Sequence, residues 1–407
     1  MISKHNTFFI LLALFLVFGV VLYDNITFTT YTDEFLVFAL CLLAFACVKR
    51  ENVLHPPKPL VHIYILLGVF VFYLCYSLFI KSNVPAAILQ DFVVQLKPFL
   101  AFFATMLIAP QLKMQHKKII RLLCILCMAY LALIGVYSAL SGNLEETMGH
   151  FIGHPSRFAT AVTATAMLFL YASENNRKNF ILFFIFMTIG LLSLRSKFYG
   201  FFVLCITLLL LYRKFELRLS VKSFLLIIPI TAAVFYFSYD KINAHFIAGA
   251  NAESMYARPA LFIGAFQILK EHFFFGSGFA SYATFFSAPP YYSQLYYELG
   301  FDRIWGLMPD FPAFIADTFY PALAQFGMVG IVLFVYFFYK VTNTANNLKG
   351  DKPFIKEYTF IILIVMFFIV ESVADSTFTH NRGAFMMMLM AMCLTNLKRM
   401  NDEILEE

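Results

Sequence analysis

Charge is scarce in this chain. Only 13% of its 407 residues are Asp, Glu, Lys or Arg, whereas 61% are hydrophobic. Soluble domains carry about 25% charged residues, so an ordinary water-soluble fold is excluded. Disulfide scaffolding is excluded too. The seven cysteines (Cys41, Cys47, Cys75, Cys124, Cys127, Cys205, Cys393) all lie in or beside apolar runs, and none stands in a long polar loop. The "CILC" at 124–127 sits inside a lipid-type helix and does not read as a metal or redox pair. No P-loop implies nucleotide hydrolysis, and no Asp-x-Asp motif or His/Cys cluster implies a metal, so no cofactor is expected. Internal repeats of the kind that build many transporters are also missing.

Long apolar runs are what the chain has instead. Stretches near twenty residues recur from end to end, which predicts an all-α polytopic membrane protein of about twelve transmembrane helices in a single membrane domain, 1–407. The expected spans are 7–23, 34–48, 60–80, 91–110, 119–141, 156–172, 180–194, 198–212, 223–239, 317–339, 355–373 and 382–397. The first lacks a small-x-small cleavage site before "YDNITF" and reads as a retained helix. Lys and Arg set the orientation, because basic residues stay in cytoplasmic loops. With both termini cytoplasmic, 20 of the 30 Lys and Arg fall inside, and every even-to-odd connection is basic. The acids lean the other way, and an acidic outer face excludes nucleic acid as a partner.

Against that frame "SLRSKFYGF" (193–201) stands out. Arg195 and Lys197 lie in the outer turn between spans seven and eight, which are short. About fifteen residues at 1.5 Å each reach roughly 22 Å, against a hydrocarbon core of about 30 Å, so the turn should be sunken. A cation at that depth costs ~2.5–3.5 kcal/mol. Snorkelling to headgroups competes as an explanation, but an Arg and a Lys together favour an anionic ligand. Further outer cations come from "GHFIGHPSRFAT" (149–160), with His150, His154 and Arg157, and from "ESVADSTFTHNRGAF" (371–385), with Glu371, Asp375, His380 and Arg382. Lys97 sits in the outer half of span four. Arginine matters because its planar fork grips phosphate oxygens in pairs.

The connection 240–316 forms one long outer loop. Within it "MYARPALFIGAFQILKEH" (255–272) places Leu261, Ala265, Ile268 and Leu269 on one stripe, which predicts a helix lying on the membrane surface with Arg258 in its first turn. The glycines of "FFFGSGFASY" predict a tight turn dipping into the interface. Tyr282, Tyr291, Tyr292, Tyr296, Tyr297 and Trp305, the one tryptophan, read either as interfacial anchors or as platforms for sugar rings.

Three stretches and the layout resemble the O-antigen polymerase (Wzy-type) and O-antigen ligase superfamily of bacterial envelope polysaccharide enzymes. "SLRSKFYGF" resembles the family's basic turn, "RPALFIGAFQILKEHFFFGSGFASY" its Arg-led helix and Gly-x-Gly turn, and "ADTFYPALAQFGMVGIVLF" (316–334) its return into the next helix. The resemblance implies a membrane glycosyltransferase of the bacterial inner membrane, with 240–316 as its large periplasmic loop. It would join repeat units carried on undecaprenyl diphosphate, among membrane lipids and with a chain-length regulator as a further partner. Arg157, Arg195, Lys197, Arg258 and Arg382 would bind the diphosphate. Asp317 is the first candidate for the base that deprotonates the acceptor hydroxyl, and His380 the second. Ligases of the superfamily carry a His where Asp317 stands, which leans the reading towards a polymerase. The alternatives are a ligase transferring glycan to lipid A-core, and a flippase or transporter, which would favour charges deep in central helices.

Overall fold

The computed structural model describes residues 4–24, 31–48, 58–214, 256–349 and 356–406. Every regular element among the described residues is helical. Helix α1, Lys4–Leu14, runs on as a π-helix, Phe15–Val21. There follow α2 (Thr32–Cys47), α3 (Lys58–Ile80), α4 (Pro85–Ile108), α5 (Met114–Leu140), the short α6 (Leu144–Ile152) and α7 (Pro155–Ala172). Helix α8 (Arg177–Ile189) tightens into a 3₁₀ turn, Gly190–Ser193, before α9 (Ser196–Lys214). The loop contributes α10 (Ala257–Glu271) and α11 (Gln294–Glu298). Helix α12 (Phe319–Ala322) and a 3₁₀ turn, Leu323–Phe326, lead into α13 (Gly327–Lys349), and α14 (Lys356–Glu371) and α15 (Asn381–Glu406) complete the order. Eleven of the expected spans fall on these helices. The other, 223–239, lies outside the described residues, as do loop residues 240–255.

Among the described residues, five helices are long and apolar enough to cross a membrane: Lys4–Val21, Pro59–Ile80, Pro85–Ile108, Met114–Leu140 and Phe319–Lys349. Helices α7 and α15 are instead the protein's interior. All of α7 but Arg157 is buried, and Thr163 and Thr165 return their hydroxyls to the carbonyls of Ala159 and Ala161, so these hydroxyls need no outside partner. Helix α15 packs on α4, α7, α13, α14 and the π-helix. It fills the irregular space between them with Met386, Met387, Met388, Met390 and Met392, all buried, as unbranched thioethers do. The C-terminal carbonyls of α7 are capped by one cation: Lys356 Nζ donates to Leu170 O at 3.1 Å, Tyr171 O at 2.8 Å and Ser173 O at 2.7 Å. Lys97, midway along α4, pairs with Asp33 and Glu34 at the start of α2 and is 5% exposed.

The loop has a core of its own, and two expectations change there. The α10 stripe does not face a membrane surface. Leu261, Ala265 and Ile268 are buried against Tyr282, Tyr296, Phe301, Leu307 and Ile315, while Ile263 and Phe266 are exposed on the other side. Tyr282 and Tyr296 are therefore core residues rather than anchors or platforms. The Tyr282 hydroxyl donates to Leu261 O at 2.7 Å, and the Tyr296 hydroxyl accepts the Ala283 N–H at 2.7 Å. Trp305 remains 63% exposed, its ring tilted against those of Phe311 and Phe314.

The Gly-x-Gly turn also differs from expectation, being buried against the α3–α4 hairpin. Ser77 Oγ accepts the Phe279 N–H, Asp91 accepts the Ala280 N–H, and Ser82 and Asn83 donate to Phe279 O and Ala280 O, all within 2.8 Å. Gly276 (φ +71°) lies back to back with Gly327 (φ +61°), where a Cβ on either would meet the other's backbone nitrogen at 2.4 Å. Only glycine fits both the conformation and the space.

Candidate active site

Helix ends bring the chemistry together. The π-helix leaves carbonyls out of register, and α15 uses them: Asn381 Nδ2 donates to Gly19 O at 2.5 Å and Arg382 Nη2 to Val20 O at 3.0 Å. The same segment delivers Asp24, which bridges two guanidinium groups. Arg157 Nη1 lies 2.5 Å from Asp24 Oδ1, and Arg382 Nη2 lies 2.9 Å from Oδ2. Arg157 is 45% exposed and Arg382 4%. One arginine is thus open to a ligand, and the other is fixed behind it.

The 190–197 turn supplies the next pair. Leu194 adopts a left-handed conformation (φ 53°), an uncommon state for a branched side chain, and turns the chain into α9. Arg195 then pairs with Glu145 at the start of α6 and approaches His154 Nε2 at 3.4 Å. Lys197 points the other way. Its Nζ meets Glu371 Oε2 at 2.6 Å and Asp375 Oδ2 at 3.0 Å, leaving 12% of the side chain exposed.

Asp317 is stitched to the same place by backbone. Phe319 N–H donates to Ser372 O at 3.2 Å and Ser376 Oγ to Ala316 O at 2.5 Å. Arg258 gives both Nε (2.7 Å) and Nη2 (2.5 Å) to one carboxylate oxygen, Asp317 Oδ2. Burial raises the Asp317 pKa, with Arg258 pulling the other way. Burial would raise Asp375 as well, but Lys197, His380 and the Thr377 hydroxyl outweigh it and hold that carboxyl below the usual range. His380 is reached by solvent yet surrounded by protein. Desolvation, reinforced by Arg157, Lys97 and Arg382 and opposed by Asp375, lowers its pKa to about 4, so it is neutral near pH 7.

The seven residues given a binding or catalytic role from the sequence are joined in one electrostatic network with Asp375 at its hub, which acts on Lys197, His154, His380, Asp317 and Arg382. Asp24 and Glu145 were not anticipated. Their signal is faint: an acid at the end of an apolar run, and another in a short polar connection. The arrangement can hold a polyanion on partly exposed guanidinium groups, with a carboxylate of raised pKa lying against one of them, Arg258.

Residues 180–304 match the family model described as O-antigen ligase. The match is consistent with the O-antigen polymerase and ligase superfamily and contains Arg195, Lys197 and Arg258; Arg157, Asp317, His380 and Arg382 lie outside it. A search of curated proteins finds no match. The O-antigen ligase match, with several membrane-length helices, supports a multi-pass membrane enzyme of glycosyl transfer acting on lipid-linked glycans. It is common ground for polymerase and ligase.

Proposed function

We propose that this chain is a surface-polysaccharide polymerase, O-antigen being the product its family suggests. It joins repeat units carried on undecaprenyl diphosphate at the periplasmic face of the inner membrane. The observation that carries the reading is Asp317, a carboxylate with a raised pKa that is held by the partly exposed Arg258 and acted on by Lys197 and Asp375. The diphosphate contacts Arg195, Arg258 and Arg157, whose side chains are 31%, 30% and 45% exposed. Lys197 and Arg382, paired with Glu371, Asp375 and Asp24, complete the clamp from behind. The present partner of Arg195, Glu145, is itself 71% exposed; such a pair is worth about 0–1 kcal/mol, so a diphosphate displaces it readily.

Chemistry then follows charge. The bond between the anomeric carbon of the growing glycan and its diphosphate oxygen breaks, and the guanidinium groups neutralise the charge that builds on that oxygen. The acceptor sugar hydroxyl attacks the same carbon and passes its proton to Asp317, with His380 the second candidate. Arg258 couples the two events. When it turns to the diphosphate it releases Asp317, whose pKa rises further, so donor binding itself sharpens the base.

A ligase reading is favoured by the description of the matched family; the Asp at position 317, in place of a His, favours the polymerase. Deleting the gene and resolving the lipopolysaccharide on a gel separates them. Loss of a polymerase leaves core lipid bearing one repeat, and loss of a ligase leaves core with none. A protein unable to bind polyprenyl diphosphate, or Asp317→Asn with unchanged polymer length, would sink the assignment.

A further inference from the structure

His154 stands directly ahead of α7 as its N-cap. Its Nδ1 accepts the Ser156 N–H at 3.2 Å, so that nitrogen carries a lone pair and no proton. Burial, Arg195, Lys197 and Arg157 lower the imidazole pKa to about 4 against the pull of Asp375, and the ring is neutral near pH 7. A neutral imidazole has one N–H, which here must lie on Nε2. Nε2 sits 3.4 Å from Arg195 Nη2, and a guanidinium nitrogen can only donate. Two donors facing each other make no hydrogen bond. None of the described residues offers His154 Nε2 an acceptor. An oxygen that accepts from both nitrogens resolves the conflict, and a negatively charged one answers the guanidinium as well.

We infer that His154 is a further substrate-binding residue, which with Arg195 forms a two-donor seat for a phosphoryl oxygen. The inference rests on reading the site as a diphosphate clamp, and deepens it by naming a neutral donor within that clamp. A neutral N–H adds direction where the arginines add charge, because it binds one oxygen at one angle and is indifferent to ionic strength.

Two variants separate this role from helix capping. His154→Asn keeps an acceptor near the Nδ1 position, preserving the cap, and removes the Nε2 donor. His154→Gln places an amide N–H near the Nε2 position and removes the cap. The full-length protein in detergent is titrated with inorganic pyrophosphate and, separately, with farnesyl diphosphate, by calorimetry and by thermal unfolding. Binding of both probes assigns the seat to the diphosphate itself. Binding of farnesyl diphosphate alone assigns it to a lipid-borne one, and both results support the seat. His154→Asn should weaken binding about tenfold, the worth of one hydrogen bond to a charged group, with an unchanged midpoint of unfolding. His154→Gln should bind within about threefold of the parent, and Arg195→Ala should lose binding. Parental affinity in His154→Asn beside a loss in Arg195→Ala overturns the role of His154 and leaves the clamp standing. Weakened binding in both His154 variants with a lowered midpoint reduces His154 to a cap. A parent protein that binds neither probe overturns the clamp and the seat together.

Discussion

Arg258 donates from Nε and Nη2 to a single carboxylate oxygen, a geometry that lysine, a point donor on a flexible stem, does not reproduce. Arg258→Lys should therefore fail to rescue Arg258→Ala. Both should lower polymer formation roughly 10²-fold or more, as loss of a transition-state donor does, with the protein still present in the membrane; chain-length profiles on gels, beside immunoblots, check this. His380 makes a prediction in pH. Its pKa is about 4 in the folded protein and about 6.5 in an unfolded chain. Between those values the unfolded chain binds a proton that the native one does not, so acidification through that window lowers stability. His154 acts in the same direction, the raised Asp317 acts against both, and the depressed Asp375 contributes only below the window. Across pH 7 to pH 4 the melting temperature of His380→Gln should shift in the stabilising direction relative to the parent, the gap widening as the pH falls. The candidate cations were legible one by one as charges in apolar surroundings. Their partners were not, because nothing local ties Arg157 to Asp24 or Lys197 to Glu371 across the chain.

Among the elements, the helices were legible because apolar runs of membrane length have few other uses; most ends fell near those expected, but α13 and α15 run on past 339 and 397 to Lys349 and Glu406, and α4 starts early, at Pro85. The π-helix was not, since its sequence "FLVFGVV" has no pattern distinct from ordinary helix and its register is set by α15. The loop misled for a related reason: aromatics at an interface and aromatics in a small core have the same composition, and only the closure of 282–315 over α10 tells them apart. Two substitutions test how these elements are held. Gly276→Ala drives a methyl into the backbone of 324–327 and should destabilise the loop by at least about 2 kcal/mol, seen as faster proteolysis within 272–316. Lys356→Met removes three hydrogen bonds from the end of α7 and should lower stability by about 1–2 kcal/mol, the range for a partly buried cation at a helix C-terminus, read as a lower unfolding midpoint in detergent.

At the scale of the molecule, the proposed clamp requires that its parts share one side of the membrane. In a background with the native cysteines replaced, Asn143→Cys and Glu298→Cys should react with an impermeant thiol reagent in intact spheroplasts. Asn175→Cys should react only after permeabilisation. Labelling of Asn175 from outside would invert the topology and end the polyprenyl-diphosphate reading. The fold also has a temporal side. Asp24 follows the first helix, yet one of its two arginine partners, Arg382, belongs to the last. The two residues of that pair lie 358 positions apart, so it cannot form until α15 has been made. Under the proposed assignment α15 completes the clamp, so a translation product that stops short of Arg382 should be inactive.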